Sequence, residues 1–440
     1  MTTPRWRRRF IAACTAAVLT VPLAATTFTA ARADDGACEP GNVEHVPGPP
    51  PVLEQLGIAE ARDLPTGAGI TIAIVDSGVD GSHPALAAAI KESQSISLVD
   101  DDAPNPLTDM EGHGTAVAGV ISAQPSAEFG SYGLAADADL VSIRVYRASD
   151  ENTRKSGLGP EPSRIAQGIR EAVSAGAEVI VVPLSHPASD PELEEAALHA
   201  VSRGALVVAS AGNRATASDP RDTPRYPAAY PGVLSVTAVN ATGQATDASI
   251  HGPHLDIAAP GQNVLTTANG AGDCIYATDA PSTSFATAYV AGVAAMLAET
   301  YPEEGPEGWA YRLMATADRP DPDARNDRTG WGIIRPLDAL RLRPEVPPRG
   351  PINPLSGTAG AEISRPPTQV TPAAPGSENW QPYLIVAIVA GGLVLVFALG
   401  TTLRRRSPQL PQDPPSGEAD DDRDAQAEEG EPPVPPVSAQ

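Results

Sequence analysis

Ser282 to Ala298 reads S-T-S-F-A-T-A-Y-V-A-G-V-A-A-M-L-A, and this run of apolar and small residues predicts a helix. A helix that is apolar on nearly every face is typical of the centre of a domain. Ser284 stands at its start, where unpaired backbone N–H groups and the positive end of the helix dipole converge. A developing oxyanion is well stabilised there, so Ser284 is a candidate nucleophile. The alternative is a plain core helix with Thr283 and Ser284 as capping residues.

Short apolar runs alternate with helical stretches through the middle of the chain, as buried strands joined by helices do. The apolar runs are 70–75, 140–145, 179–182, 206–209 and 233–239, and the helical stretches are 163–175 and 191–203. Repeated strand, helix, strand units predict an α/β fold with a central, mostly parallel sheet and helices on both faces. In such sheets the reactive residues gather at the carboxyl ends of the strands.

A carboxylate and an imidazole stand at two such places. The strand that begins at Ile70 leads into Asp76, which the chain therefore delivers to the carboxyl edge of the sheet. His113 lies between two glycines at the start of a small-residue helical stretch, and glycines remove bulk around a ring that must face a substrate. His83 and His186 are competing candidate bases, but each precedes a proline and neither begins a helix. The sequence favours His113.

Three stretches carry a family resemblance. I-V-D-S-G-V-D at 74–80, G-H-G-T-A-V-A-G at 112–119 and T-S-F-A-T-A-Y-V-A-G at 283–292 resemble the three signature blocks of the subtilisin-like serine proteases, in the same order. The resemblance covers roughly 64–342. A fourth stretch agrees with it, because the run at 206–209 leads to Asn213, where that family keeps its oxyanion-hole asparagine.

The resemblance implies a three-layer subtilisin-like fold and a role for each of these residues. Ser284 would attack the scissile carbonyl, and His113 would accept its proton and pass it to the leaving amine. Asp76 would orient the imidazole and stabilise its cationic form. Asn213 and the backbone N–H of Ser284 would bind the oxyanion. No cofactor and no metal site are implied.

Three positions depart from the family pattern. Ser282 replaces a glycine two residues before the nucleophile, which adds a side chain at a place where glycine allows unusual backbone angles. Ala288 replaces a proline four residues after it, a mild change because alanine suits a helix. Pro183, Leu184 and Ser185 form the predicted edge that pairs with substrate, and a proline there cannot donate a hydrogen bond. These three departures leave open the alternative that the peptidase activity of this chain is weakened.

The two ends of the chain have the composition of targeting and membrane segments. A basic patch, an apolar run at 10–23 and the small-residue site Ala31-Arg32-Ala33 indicate a secretory signal peptide, with an uncleaved anchor as the alternative. Residues 379–403 carry no charge, are long enough to cross a bilayer once and are followed by Arg404, Arg405 and Arg406, which favours a membrane helix over a buried core helix. The predicted organisation is a signal peptide at 1–33, a Pro-rich N-terminal extension at 34–64, the peptidase domain at 65–342, a Pro-rich linker at 343–379, a transmembrane helix at 380–403 and an acidic, disordered cytoplasmic tail at 404–440.

Charge and cysteine content limit the partners. The net charge of −24 argues against nucleic acid, which requires clustered Lys and Arg. Cys14 leaves with the signal peptide, so Cys38 and Cys274 remain, and an oxidising compartment favours a disulfide between them over two free thiols. The acidic run at 100–102 matches no EF-hand spacing and is interpreted as a solvated turn and not a calcium site.

The order of segments is similar to that of the mycosins, membrane-anchored subtilisin-like proteases attached to type VII secretion systems of actinobacteria. This resemblance implies a single-pass cell-membrane serine endopeptidase with its catalytic domain outside, its tail in the cytoplasm, and exported proteins or peptides as substrates. Type VII secretion membrane components are the implied partners. The alternative is a catalytically weak or inactive scaffold of a secretion complex. An adhesin or lipoprotein is a third hypothesis, although Cys14 lacks the setting of a lipoprotein cysteine.

Overall fold

A parallel sheet forms the centre of the computed structural model, which describes residues 46, 48–126, 129–270, 272–346 and 348–358. Within those ranges the order in the sheet is β2-β3-β1-β4-β5-β6-β7, with every neighbouring pair parallel, and β8 and β9 form a separate antiparallel hairpin. The strands are β1 Thr71–Asp76, β2 Ile96–Ser97, β3 Asp139–Arg144, β4 Val179–Val182, β5 Leu206–Ser210, β6 Leu234–Val239, β7 Ile257–Pro260, β8 Val264–Ala268 and β9 Gly272–Tyr276.

Helices connect these strands and cover the sheet. They are α1 Val52–Gln55, α2 His113–Ser122, α3 Glu151–Lys155, α4 Pro162–Ser174, α5 Pro191–Ser202, α6 Thr283–Thr300, α7 Gly305–Thr316 and α8 Pro336–Arg341, with short 3₁₀ turns at Glu92–Gln94 and Pro302–Glu304. The strands predicted from the apolar runs and the helices predicted at 163–175 and 191–203 are confirmed to within one residue at each end.

Two apolar cores lie on the two faces of the sheet. One contains α2 and α6, including Val117 and Val290, together with the inward side chains of one face of the strands. The other contains α4 and α5, including Ile169 and Leu193, against the opposite face. The predicted α/β fold, a mostly parallel sheet between two helical layers, is therefore confirmed for the described part of the chain.

Helix α6 occupies the centre of the first core, as its composition predicts. Every residue from Thr283 to Ala298 is buried. Small residues let neighbouring segments approach, since a Cβ placed on Gly292 would lie 2.9 Å from the Cβ of Leu134. Ser282 precedes the helix in extended conformation, with φ −110°, so the chain enters α6 without a glycine-specific backbone angle.

The strand order reverses direction between β1 and β4, which are neighbours although they are far apart in sequence. Strands added after β1 extend the sheet one way, and strands added after β4 extend it the other way. A crevice forms outside the carboxyl ends of strands at such a switch point. Asp76 ends β1 and Pro183 follows β4, so both lie at this crevice.

The N-terminal extension is packed more closely than its polar composition predicts. Residues 34–45 and 47 lie outside the described part, but Val52, Leu53, Leu56 and Ile58 are buried and belong to the core around α6. Their spacing brings them to one side of the short helix α1 and the turn after it. This part of the extension is therefore anchored in the core and is not merely an extended arm on the surface.

The acidic run at 100–102 is not a solvated turn at its middle residue. The side chain of Asp101 is 1% exposed and accepts a hydrogen bond of 2.6 Å from Nη2 of Arg144, which is itself fully buried. Arg147 also pairs with Asp101 and with the exposed Asp102. The run therefore holds an ion-pair network beside β3.

The predicted signal peptide, transmembrane helix and tail lie outside the described residues. The described ranges belong to one compact unit, Met1–Ile363, and the second unit, Ser364–Gln440, is not described. No helix in the described ranges is both long and apolar enough to span a bilayer.

Candidate active site

Asp76 and His113 meet at the carboxyl edge of the sheet. Asp76 ends β1 with no solvent exposure, and His113 is the first residue of α2, preceded by Gly112 in a left-handed conformation with φ +87°. The Nδ1 atom of His113 lies 2.8 Å from Oδ1 and 2.9 Å from Oδ2 of Asp76. The pair therefore has the geometry of a carboxylate that fixes the orientation of an imidazole.

Other donors hold the Asp76 carboxylate in place. Oδ1 accepts hydrogen bonds from the backbone N–H of Ser77 at 2.6 Å, from the Ser77 hydroxyl at 3.0 Å and from the Tyr146 hydroxyl at 3.1 Å. Tyr146 comes from the segment after β3 and is buried. Sequence analysis missed it, because an isolated tyrosine after a strand gives no signal of its own.

The acidic surroundings stabilise the cationic form of His113. Burial lowers the pKa of this imidazole, but the charge and hydrogen bond of Asp76 and the charges of Glu111 and Asp109 outweigh burial and raise the pKa to about 9. Burial raises the pKa of Glu111 and also that of Asp109. Asp76 and its acidic neighbours therefore make the ring of His113 more basic than an ordinary imidazole.

Ser284 lies in the first turn of α6 and is 6% exposed. Its hydroxyl donates a hydrogen bond of 2.9 Å to the carbonyl oxygen of Pro183. Among the described residues, no hydrogen bond joins the Ser284 hydroxyl to the ring of His113, although both residues line one cleft. The predicted serine and histidine are thus neighbours in the cleft, with the serine hydroxyl directed at the edge that follows β4.

Asn213 has its side-chain amide oriented by the start of α6. Its Oδ1 accepts hydrogen bonds from the backbone N–H of Thr283 at 2.9 Å and from the Thr283 hydroxyl at 3.0 Å. Its Nδ2 lies 3.4 Å from Oγ of Ser282 and makes at most a weak contact there. This arrangement leaves Nδ2 donor capacity beside Ser284.

The cleft that contains these groups has a volume of about 620 Å³. It is lined by the predicted residues His113, Ser284 and Asn213 and by the predicted edge Pro183, Leu184 and Ser185. Glu111 and Arg225 also line it and were not singled out from the sequence. The only signal for Glu111 is its place two residues before His113, and the sequence around Arg225 carries none.

The competing histidines have different surroundings. His83 is fully buried, and its Nε2 lies 3.0 Å from the carbonyl oxygen of Gly272, away from the cleft. His186 lines the cleft, but its Nδ1 lies 3.0 Å from the carbonyl oxygen of Ala188 in its own loop. Of the described histidines in the cleft, His113 is the one paired with a buried carboxylate.

The departures at 282, 288 and 183 have clear structural settings. Ser282 adopts an extended conformation, and Ala288 is fully buried inside α6. Pro183 has no N–H to donate, but its carbonyl oxygen accepts a hydrogen bond from the Ser284 hydroxyl.

Cys274 is disulfide-bonded. Cys38 lies outside the described residues, so its pairing with Cys274 stays a prediction.

Comparisons with known proteins agree with this geometry. Residues 67–332 match the subtilase family of peptidases. Mycosin-1 of Mycobacterium tuberculosis is 32% identical over 406 residues, which covers 83% of this chain and 86% of that protein. Subtilisin E of Bacillus subtilis is 35% identical over 252 residues, which covers 57% of this chain and 61% of that protein.

A solved structure gives the same result. The crystal structure of MycP1 from the ESX-1 type VII secretion system is similar with a TM-score of 0.58 and 27% identity, covering 72% of this chain and 97% of that one. The chain belongs to the subtilase family. It is a subtilisin-like serine endopeptidase related to the mycosins.

Proposed function

We propose that Asp76, His113 and Ser284 hydrolyse peptide bonds as a catalytic triad. The observation that carries this proposal is the buried Asp76 carboxylate within 2.9 Å of His113 Nδ1, in a cleft that Ser284 also lines. A buried carboxylate that orients an imidazole raises the basicity of the ring and stabilises the imidazolium that forms. The start of α6 supplies N–H groups and a positive dipole end beside the nucleophile.

Substrate binding first has to release the Ser284 hydroxyl. In the resting site this hydroxyl donates to the Pro183 carbonyl. An extended substrate that pairs with the segment 183–185 brings its own N–H to this carbonyl and displaces the hydroxyl. One hydrogen bond replaces another at little net cost, and rotation about the Cα–Cβ bond of Ser284 turns Oγ toward Nε2 of His113.

The reaction then proceeds in two halves. Neutral His113 takes the proton from Ser284 as Oγ bonds to the scissile carbonyl carbon, and the carbonyl oxygen becomes an oxyanion. Asn213 Nδ2 and the Ser284 N–H donate to that oxyanion. The C–N bond breaks when His113 gives its proton to the leaving amine. Water, deprotonated by His113, next attacks the acyl carbon, the bond from this carbon to Oγ of Ser284 breaks, and His113 returns the proton to Oγ.

Proteolysis of a defined library tests this function. The full-length protein is incubated with a mixture of tryptic peptides, and new termini are counted by mass spectrometry. Wild-type protein is expected to generate new termini, and Ser284→Ala and His113→Ala are each expected to remove nearly all of them. Ser218→Ala, at another serine that lines the cleft, serves as the matched control and is expected to retain activity. Equal product formation by wild type and Ser284→Ala would disprove the assignment.

The scaffold hypothesis is the second candidate. The hydrogen bond from the Ser284 hydroxyl to the Pro183 carbonyl oxygen describes a resting site in which the serine is not directed at His113. A chain that kept this arrangement with substrate present would bind peptides without cleaving them. Absence of new termini from a folded wild-type protein would support this candidate.

The relatives and the composition of the two ends of the chain support a cellular setting for this activity. We propose the domain order given by the sequence, with the peptidase domain at 65–342 outside the cell, one membrane helix at 380–403 and the tail at 404–440 in the cytoplasm. The name of the related structure places that protein in a type VII secretion system. We propose the same context here, with exported proteins or peptides as substrates and membrane components of that system as partners.

Topology is tested on intact cells. External protease is expected to degrade an epitope inserted after the peptidase domain at 358, and to spare one placed after Gln440 until the membrane is permeabilised. Recovery of the whole chain from the soluble fraction, or loss of both epitopes in intact cells, would contradict the proposed anchoring.

A further inference from the structure

Arg225 is a buried cation in the wall of the substrate cleft. It lies on the segment between β5 and β6, is 1% exposed and lines the same cleft as Ser284 and Asn213. Its side-chain stem passes under Gly212, where a Cβ would lie 3.3 Å from Cγ of Arg225 and 2.8 Å from Oγ of Ser185. Because Gly212 directly precedes Asn213, the stem of Arg225 is close to the proposed oxyanion donor.

The two terminal nitrogens of Arg225 are fully engaged with its own loop. Nη1 donates to the carbonyl oxygens of Thr223 and Pro224 and to the Thr223 hydroxyl, and Nη2 donates to the carbonyl oxygens of Asp219 and Arg221. The remaining N–H, on Nε, is buried and has no acceptor within the described part of the chain. A buried donor without an acceptor is costly, so a site usually supplies one from protein, water or ligand.

The charge of Arg225 also lacks a carboxylate partner among the described residues. The two nearby acids are engaged elsewhere, because Asp219 pairs with Arg221 and Asp222 pairs with Arg214. Burial lowers the pKa of Arg225, while Asp219 and Asp222 partly restore it. Every partner of its guanidinium is a neutral oxygen. A buried guanidinium that has only neutral partners binds a carboxylate more strongly than it binds a neutral acceptor.

The other charged groups of the cleft do not fill this role. Glu111 accepts a hydrogen bond from Ser149, and its charge acts on His113. Arg154 and Glu161 also line the cleft, and Arg154 is exposed to water. A substrate carboxylate that enters beside Ser185 and Gly212 therefore approaches Arg225, the buried cation in this part of the cleft wall.

We propose that Arg225 is a specificity-determining residue that selects substrates with an Asp or Glu side chain at the position that enters the cleft between Ser185 and Asn213. The substrate carboxylate accepts a hydrogen bond from the Nε–H of Arg225 and supplies a negative charge opposite the guanidinium. This inference deepens the proposed proteolytic function and rests on it. It concerns recognition alone, since Arg225 takes no part in bond breaking.

Cleavage profiles test the proposal. Wild type and Arg225→Met are given a synthetic peptide set in which each position in turn is Asp, Glu, Asn, Gln or Ala. At one position, wild type is expected to cleave the Asp or Glu peptide at least about tenfold faster than its Asn or Gln partner, and Arg225→Met is expected to abolish or reverse this ratio. Arg154→Met is the matched control, since it removes an exposed cleft arginine and is expected to leave the ratio unchanged.

Binding provides an arm that is independent of catalysis. The same matched peptides are titrated into full-length Ser284→Ala protein, with and without Arg225→Gln, which keeps a polar group if Arg225→Met does not fold. The acidic peptide is expected to bind at least about tenfold more tightly than its amide partner, and only when Arg225 is present.

The outcomes separate the two proposals. Absence of cleavage by wild type would reject the proteolytic function, while the binding ratio would still decide the role of Arg225. Equal binding of acidic and amide peptides to Ser284→Ala would overturn the proposal. So would a profile that favours small side chains irrespective of charge, because Arg225 would then only fill space.

Discussion

At the scale of single residues, the proposed chemistry depends on three carboxylates that raise the pKa of His113. Asp76 contacts the ring directly, and Glu111 and Asp109 act through their charges. Together they raise the pKa of His113 to about 9, against an ordinary value of 6.5. General-base catalysis needs the neutral ring, so these carboxylates set the pH at which the site becomes active.

Glu111→Gln is predicted to move the acid limb of the pH–activity profile to lower pH. Activity is present above the pKa of His113 and is lost as pH falls through it. Removing a negative charge that raises this pKa lowers it, so a larger fraction of neutral imidazole remains at any given pH. The measurement is kcat/KM against pH for wild type and variant. Glu161→Gln, at another cleft carboxylate that is not among the main causes of the His113 shift, is the control. An acid limb that stays in place, or that moves to higher pH, in Glu111→Gln would contradict the account.

Asn213→Ala is predicted to lower kcat by about 10²–10³, or about 2.7–4 kcal/mol, as expected for loss of one oxyanion donor. KM is expected to change much less, because the donor acts mainly in the transition state. The variant also loses the acceptor of the Thr283 N–H, so its unfolding free energy is measured alongside. Asn213→Gln keeps the amide but moves it one methylene further from the backbone. An equal loss of kcat in Asn213→Gln would indicate that the donor has to lie at one position. Unchanged kcat in Asn213→Ala would rule out the assigned role.

Sequence analysis proposed Asp76, His113, Ser284 and Asn213 as site residues because each belongs to a motif with a fixed local structure. It could not identify Tyr146 or Arg225, because their roles depend on contacts with residues that are distant in sequence. The Tyr146 hydroxyl reaches Asp76 across 70 positions of sequence. Nor could a motif reveal that the Ser284 hydroxyl donates to Pro183, since that depends on side-chain rotation.

At the scale of elements, the close approach of α6 to its surroundings positions Ser284, the proposed nucleophile. The segment containing Leu134 packs where Gly292 has no side chain. The periodicity and composition of 282–298 were sufficient to predict this helix and its burial. Its neighbours were not predictable, because one sequence does not show which segment fills the space beside a glycine.

Gly292→Val is predicted to destabilise the fold by about 1–3 kcal/mol, since the new side chain overlaps Leu134 in a closely packed core. The measurement is urea-induced unfolding of the full-length protein, followed by fluorescence. Leu134→Gly removes the Cβ that the new side chain meets, so in this background Gly292→Val is expected to cost less stability than it does in the wild-type chain. A double variant that is less stable by the simple sum of the two single effects would show that the contact is not responsible.

At the scale of the whole molecule, residues 52–58 of the N-terminal extension pack into the core around α6. Its composition, in which Pro, Gly and acids dominate 34–64, gave no indication of packing into a core. The apolar residues Val52, Leu53, Leu56 and Ile58 are few, and composition averaged over the segment conceals them. Burial of four apolar side chains contributes several kcal/mol, roughly 1.5–3 kcal/mol for each large side chain.

Leu56→Ala is predicted to lower the free energy of unfolding by about 2–5 kcal/mol, because the side chain is 2% exposed and leaves a cavity in the core around α6. Glu54→Ala, on an exposed position of the same short helix, is the matched control and is expected to stay within about 0.5 kcal/mol of wild type. Equal stability of the two variants, measured by chemical denaturation, would show that the extension does not anchor to the core in solution.

The most direct test of the central claim is the site of reaction with a fluorophosphonate probe. The full-length protein is treated with the probe and digested, and the modified residue is located by mass spectrometry, with His113→Ala and Asp76→Ala treated in parallel. The account predicts one phosphonyl group per chain on Ser284, and little or none in either variant. A folded wild-type protein that remains unmodified, or that carries the adduct on another residue, would contradict the triad.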